Sequence, residues 1–350
     1  MLLKLDLSKA YDKLNWDFLE GVLRAFGFGD NWIRWIINLV SSAFFSILVN
    51  GTPSQPFSAT RGIRQGDPLS PFLFIIIAEG LGRLLRDMQN SGQIKGLNLC
   101  ENQPAQTHQQ FVDDNMLMGP SSVQESRGIK KGLDLFLLAS GLEINKEKSQ
   151  VFFLNTSRVA KRNILRILQF SEGTLPSKYL GALLAESTIK QVSWKELLDK
   201  MKQKLTHWTY RALNFPSRMV LVKAVLQAMP LYLFSVLSAP KAVLKQIRNI
   251  QRNFLWGSTD DRRKWALVYW ATICRPKEAG GLGFWDPISS NKMMGAKIWW
   301  RWVTHSSEPW AMVWHQKYAH LWPKNQLIRY DRTPPGSQIW TMAQQNRDLV

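Results

Sequence analysis

The chain has 350 residues, 45% hydrophobic and 20% charged, an ordinary globular composition with enough apolar material for a large core in two or three domains. Its two cysteines, Cys100 and Cys274, are too few and too far apart for a disulfide framework or a thiolate zinc site, and suit a reducing compartment. The net charge of +19 is uneven: residues 1–150 hold 15 Lys and Arg against 15 Asp and Glu, whereas residues 151–350 hold 30 against 11, so a neutral front part precedes a basic rear part suited to a polyanion or simply to solvent.

In "LLKLDL" Leu3, Leu5 and Leu7 alternate with Lys4 and Asp6, the period-two pattern of a strand with one buried face, and Asp6 points away from the core. Charge at Lys4 and Asp6 comes too early for a signal peptide or membrane anchor, so an intracellular protein of cytoplasm or nucleus is expected. Asn15 and Asp30 read as N-caps of two helices, "WDFLEGVLRAF" and "NWIRWIINLV", the first ended by Gly27. "FFSILVNG" alternates through Phe45, Ile47 and Val49 and closes on Asn50-Gly51, a hairpin signal. "RGIRQGDPLSPFLFIIIAEGLGRLL" reads as a loop and a helix, with Asp67 as cap and Pro68 at the first helical position. Gly62 and Gly66 leave room for close approach, and the apolar run 72–78 reads as a helix buried beneath a sheet.

"HQQFVDDNML" sets Asp113 and Asp114 at the tip of a hairpin, and after a helix near 121–139 "SGLEINKEKSQVFFL" turns through Gly141 and Asn145 into a further strand. From about residue 190 the pattern is helical: Trp194, Leu197, Leu198, Met201 and Leu205 share one helix face. "VLQAMPLYLFSVLSAP", broken by Gln227 and Pro230, reads as too short to span a membrane. In "KAVLKQIRNIQRNFLW" Lys241, Lys245, Arg248 and Arg252 fall within about 60° of one another, opposite Val243, Ile247, Ile250 and Phe254. Eleven of the sixteen tryptophans lie between 256 and 340; most read as core, though exposed ones could stack on bases. "GGLG" at 280–283 lacks the Lys-Ser or Lys-Thr of a phosphate loop, and His315 and His320 have no nearby cysteine to complete a zinc knuckle.

Asp6, Asp113 and Asp114 stand out. Adjacent like charges on an ordered element call for a cation, and carboxylates are the ligands that hard cations such as magnesium prefer beside substrate phosphates. Taken in order, "KLDLSKAYDKLNWDFL", "RGIRQGDPLSPFLF", "FVDD", "SGLEINKEKS" and "KYLGALL" resemble motifs A to E of the reverse transcriptase of LINE-type (non-LTR) retrotransposons, particularly those of plants. The resemblance runs on through "FPSRMVLVKAVLQAMPLYLFSV", "RNFLWG" and "CRPKEAGGLGFWD". It implies an α+β fold: a right-hand polymerase palm of antiparallel sheet and packed helices over 1–185, an α-helical thumb over 186–256, and a Trp-rich basic C-terminal region over 257–350. It also implies an RNA-directed DNA polymerase that takes an RNA template, a DNA primer and deoxynucleoside triphosphates, with two magnesium ions, or manganese in their place. No membrane partner is implied.

Residue by residue, the resemblance implies that Asp6 and Asp113 bind the metals, with Asp114 in the cluster and the Leu7 carbonyl assisting. Tyr11 falls where the family keeps a ring against the sugar to exclude a 2′-hydroxyl, or it packs in the palm. Arg61, Gln65 and Gly66 would lie along the incoming nucleotide. Lys148, with Lys146 as a rival, matches a general acid for the pyrophosphate leaving group. Lys178 and Tyr179 fall on a primer-grip turn, and the stripe of Lys241, Lys245, Arg248 and Arg252 would follow duplex phosphates. Two departures stand at the hairpin: Val112 replaces the usual alanine, and Gln109 and Gln110 replace apolar residues. The chain opens just before motif A, so fingers and endonuclease are expected to be missing and unaided primer extension weak. The alternative reading is a catalytically silent nucleic-acid-binding remnant or pseudogene product.

Overall fold

The computed structural model describes residues 1–99, 105–184, 192–207, 213–258, 264–318 and 336–349, without the side chains of Val192, Ser193 and His207. Cys100 and His320 lie outside the described residues. Two compact units, Met1–Leu175 and Pro176–Val350, make up the chain.

In the first unit β1 (Leu2–Asp6) leads into a one-turn helix α1 (Ala10–Lys13), then α2 (Trp16–Ala25) and α3 (Asp30–Ser41). Asn15 caps α2 by accepting from the Asp17 amide at 2.7 Å. Asp30 is not a cap: Gly29 takes that position, and Asp30 sits in the first turn, where its charge opposes the positive helix end. Two short ladders follow, β2 (Phe44–Phe45) with β5 (Phe57–Ser58) and, between them in sequence, β3 (Leu48–Val49) with β4 (Thr52–Pro53). Asn50 and Gly51, at φ 50° and 84°, close the inner ladder with the sign pattern of a type I′ turn. The alternation there does not mark a buried face, because these ladders stand apart from the main sheet and Phe45, Ile47 and Val49 are exposed.

The long helix α4 (Ser70–Asn90) begins later than expected: Pro71 occupies its first turn, while Asp67 Oδ1 accepts from the Leu69 amide at 2.8 Å just ahead of it. Leu73, Phe74 and Ile77 are buried but Phe72 and Ile75 are exposed, so the apolar run is one-sided. The hairpin β6 (His108–Phe111) and β7 (Asp114–Met118), then α5 (Val123–Ser140), β8 (Gln150–Phe152), α6 (Arg158–Leu168) and β9 (Ser171–Glu172) complete the unit. The five-stranded sheet runs β6-β7-β1-β8-β9, antiparallel except for β8 with β9. Leu3, Leu5, Leu117 and Val151 of one sheet face join Phe74, Ile77, Leu81, Leu133 and Phe136 in a single core. Each such side chain contributes about 1.5–3 kcal/mol by leaving water. The pleat therefore sends Lys4 and Asp6 to the other face.

The second unit opens with the hairpin β10 (Ser177–Tyr179) and β11 (Ala182–Leu184). The helices α7 (Val192–His207), α8 (Phe215–Leu221), α9 (Leu231–Val236), α10 (Lys241–Trp256), α11 (Trp270–Ile273), α12 (Pro287–Thr304), α13 (Pro309–Tyr318) and α14 (Gln338–Gln345) follow. Trp194, Leu197, Leu198, Met201 and Leu205 pack with Val222, Leu226, Phe234, Ile247 and Phe254, as the helical spacing implied. Tyr318 stacks on Trp340 at 4.3 Å, and Trp299, Trp302 and Trp314 also pack against Trp340, so these late tryptophans form a core of their own.

The compact units meet at Leu175 and Pro176, and the β10–β11 hairpin is bonded to helices of the second unit through Lys178 to Glu196 and Tyr232 to Leu180. One core joins residues from Trp194 to Met294. Phe215–Val236, 22 residues, is long and apolar enough to span a membrane by length and composition alone. In the fold it is no single α-helix. A π-helical turn at Val222–Leu226 and a turn at 227–230 separate α8 from α9, and Val222, Leu226 and Phe234 are buried in the unit's core.

Candidate active site

The register of β1 against β7 decides which side chains meet. Met1 and Gly119 exchange both backbone bonds, at 2.7 and 3.2 Å. Pairs alternate from there along the ladder, so Asp6 and its partner Asp114 form a non-hydrogen-bonded pair, in which the Cα atoms lie about 4.5 Å apart and side chains come closest. Like charges directly opposite repel. The Asp114 carboxyl is accordingly pushed above its ordinary pKa, first by burial, then by Asp113 and more weakly by Asp6, with Lys4 opposing.

Asp113 reaches the same end of the sheet through a strained turn. Phe111 pairs with Asp114, leaving Val112 and Asp113 as a two-residue loop. Val112 has φ 55°, and Asp113 is not among the positive-φ residues, the sign pattern of a type II′ turn whose first position ordinarily belongs to glycine. A β-branched residue there stores about 1–3 kcal/mol. The hold comes from Gln110, whose Nε2 donates to the Ala78 carbonyl of α4 at 3.1 Å and to Asn115 Oδ1 at 3.0 Å, while Asn115 Nδ2 donates to the Asp113 carbonyl at 3.1 Å. Gln110, a departure from the family pattern, is thus an anchor for the aspartate turn. Only its polarity inside a strand pattern hinted at it.

Around this pair stand other residues singled out in the sequence. Lys148 Nζ lies 3.9 Å from Asp6 Oδ2, on a turn fixed by Asn145, whose Oδ1 accepts from the Glu147 and Lys148 amides. Lys146 has no such contact with the aspartates among the contacts described. Leu7 bridges Ile144 through the Ser8 amide to the Glu143 carbonyl and the Asn145 amide to the Asp6 carbonyl, and neither bond uses the Leu7 carbonyl. Tyr11 stacks on Phe74 at 5.1 Å and 14°. Burial, and then the charge of Asp113, raise its phenol pKa. Tyr11 therefore both packs in the core's margin and feels the aspartates.

The loop after β5 is sewn to the same segment. The Gly62 amide donates to Leu14 O and the Ile63 amide to Tyr11 O, both at 2.7 Å, and Trp16 Nε1 donates to Gly62 O at 2.6 Å. A Cβ at Gly62 would meet Asp12 O at 2.7 Å and Tyr11 O at 2.9 Å, whereas one at Gly66 meets nothing within 4 Å. Gln65 Nε2 reaches Asp12 Oδ1 at 3.2 Å. Arg61 and Gln65 line a cavity of about 650 Å³ with Phe45, Ile47, Phe57 and Arg64.

Not every expected residue converges. Among the described residues no three His, Cys, Asp or Glu side chains are arranged to hold a metal, so the expected three-carboxylate cluster stands as a facing pair with Asp113 on the adjoining turn. The donor set still suits a hard divalent cation: all oxygen, on neighbouring strands, with one carboxyl, Asp114, pushed up first by burial and then by its acidic neighbour Asp113.

The second unit holds the remaining candidates. Lys178 pairs with Glu196 at 2.6 Å, and Tyr179 is half-buried. Lys241, Lys245 and Arg252 are exposed on α10, but Arg248 leaves the stripe. Its Nε and Nη2 bind Asp286 Oδ1 and Oδ2, each at 2.8 Å, and Asp286 also accepts from Trp270 Nε1 and the Ile288 amide, both at 3.2 Å. The reason is geometric: α10 packs on α12, and Asp286 caps α12 where Arg248 arrives. That correction also gives the "GFWD" segment its role.

A strand and a hairpin that bring carboxylates face to face, backed by helices on the other side of an antiparallel sheet, define a polymerase palm. The chain belongs to the reverse transcriptase (RNA-dependent DNA polymerase) family, whose profile matches residues 1–184. The Pol polyprotein of the type-2 retrotransposable element R2DM of Drosophila melanogaster is 27% identical over 292 residues, covering 80% of this chain and 26% of that protein. A putative ribonuclease H protein of Arabidopsis thaliana is 33% identical over 133 residues, covering 38% of this chain and 22% of that protein. The chain thus spans about a quarter of the length of these relatives. A solved telomerase of Candida albicans, in complex with a fragment of telomeric RNA, covers 91% of this chain and is half covered by it, at 13% identity and a TM-score of 0.40, a likeness too slight to weigh.

Proposed function

We propose that the first unit is the palm of a non-LTR retrotransposon reverse transcriptase that adds deoxynucleotides to a primer 3′-hydroxyl on an RNA template, inside the cell. The observation that carries this is the facing of Asp6 and Asp114 across β1 and β7, with Asp113 on the adjoining turn and Lys148 against Asp6. Asp6, Asp113 and Asp114 are the residues to hold two magnesium ions, with the Leu7 carbonyl as a further oxygen. Bound there, the ions would activate the primer hydroxyl and neutralise the leaving pyrophosphate.

The chain's own side chains do the rest. Lys148, exposed and tethered near Asp6, gives a proton to the pyrophosphate oxygen as the bond to the α-phosphorus breaks. Tyr11, fixed by Phe74, closes the space beside the sugar so that a 2′-hydroxyl clashes. Arg61 and Gln65, held over α1 by the Gly62 contacts, meet the triphosphate and template base. In the second unit the β10–β11 hairpin grips the primer, and Lys241, Lys245 and Arg252 on a thumb-like helix follow duplex phosphates.

The test places this chain behind the upstream part of a related retrotransposon polymerase and measures primer extension with magnesium. Extension that is lost on Asp113→Asn supports the reading; a folded fusion that extends equally well with Asp113→Asn contradicts it. A second reading, a nucleic-acid-binding remnant, is favoured by the charge excess after residue 150. It predicts salt-sensitive binding and no extension in the same fusion.

A further inference from the structure

We propose that Tyr232 is a positioning residue for the primer-gripping hairpin, holding the conformation of its tip, a role that rests on the polymerase reading. The hairpin is short, pairing only Ser177 with Leu184, Lys178 with Leu183 and Tyr179 with Ala182, and two strands of this length are barely stable alone in water. Its turn, Leu180-Gly181, has φ 49° and 77°, the sign pattern of a type I′ turn, which Asn-Gly or Gly-Gly would satisfy far more readily than a branched apolar residue. Such a turn needs a hold from outside the hairpin.

Tyr232 supplies it. It lies in the first turn of α9, directly after the break at Pro230, and its hydroxyl donates to the Leu180 carbonyl. Its ring lies beside Gly181, 3.4 Å from where a Cβ would stand, an ordinary packing distance, so it is the positive φ of 77° that calls for glycine there. A further tie, Lys178 to Glu196, which Lys200 shares at 3.0 Å, is between exposed side chains, and such pairs hold weakly. The "MPLY" segment, apolar enough to belong wholly in a core, therefore leaves Tyr232 48% exposed in order to reach the hairpin tip.

The wild-type 350-residue chain, Tyr232→Phe and Tyr232→Ala are compared for affinity, by fluorescence anisotropy, for a primer–template with a recessed 3′ end and for a blunt duplex of equal length. The wild type is expected to prefer the recessed end. Tyr232→Phe should lower that preference about fivefold, the effect of one lost hydrogen bond, and Tyr232→Ala more, with blunt-duplex affinity unchanged. A pin that merely stabilised the fold would leave the ratio alone. If both variants keep the wild-type ratio, the role of Tyr232 is overturned and the polymerase reading stands; if the wild type itself binds both duplexes equally, the polymerase reading falls and this role with it. Tyr232→Phe retains the ring packing, so it decides the matter even if Tyr232→Ala does not fold.

Discussion

Replacing Gly62 by alanine should damage the first unit more than any other single methyl group added to the loop after β5. Gly62 has φ 91°, where an L-residue costs about 1–2 kcal/mol. The added Cβ would stand 2.7 Å from Asp12 O and 2.9 Å from Tyr11 O, both backbone atoms that cannot rotate away. Relieving that overlap must lengthen the bonds that Gly62 and Ile63 make to Leu14 and Tyr11, each worth about 1 kcal/mol. The sum is about 3–4 kcal/mol, a large share of a domain's stability. Gly66→Ala is the control, since its φ of 84° carries the conformational cost but its Cβ meets nothing; it should lose only about 1–2 kcal/mol. Pulse proteolysis in urea, read on fragments of the first unit, measures both without assuming that two units unfold together. Equal losses for the two variants would show that the contact with Tyr11 and Asp12 contributes nothing, and with it would go the claim that this loop is placed by α1.

Asp114→Asn, in EDTA at neutral pH, should stabilise the first unit by up to about 1 kcal/mol by relieving a facing like-charge pair; added magnesium should then raise the melting temperature of wild type more than that of the variant, and an equal response in thermal unfolding would contradict the metal assignment. Burial, then Arg86, with Glu79 opposing, hold the His108 imidazole below its ordinary pKa, so the folded state binds fewer protons than the unfolded chain. Stability from this site is full above about pH 6.5 and is lost as pH falls from there toward the folded value; His108→Asn should flatten that loss in urea melts, and an unchanged pH slope would refute it. Alanine at Lys241, Lys245 and Arg252 together should flatten the salt dependence of duplex affinity by up to about 0.9 per charge, whereas Arg248→Ala should leave the slope alone and destabilise the second unit by about 2 kcal/mol, since its fork is already taken by Asp286.

The palm was legible because its signals are local and periodic. Alternation around Asp6, the Asn50-Gly51 turn and the Gly141 end of α5 each follow from backbone geometry that neighbouring residues dictate, as does the stripe from Trp194 to Leu205 in the second unit. What escaped were facts set by distant partners. That Arg248 belongs to Asp286, 38 residues away in sequence, cannot be read from helix phase, which placed it correctly among basic neighbours. Gln110 read as an oddity until Ala78 and Asn115 stood beside it. The exposure of Phe45, Ile47 and Val49 shows the opposite failure: alternation marks a face, but only the surrounding fold decides whether anything covers it. Val112 was seen as a substitution, yet its strained φ is a property of the turn that aims Asp113.

The most direct test of the account is the binding of manganese to the full chain, counted by electron paramagnetic resonance and displaced by magnesium. Wild type should take up the ion, and Asp6→Asn and Asp113→Asn should each abolish most of that uptake while the far-ultraviolet circular dichroism stays unchanged. Uptake that is the same in wild type and in both variants would place the metal elsewhere and remove the basis for nucleotidyl transfer at this site.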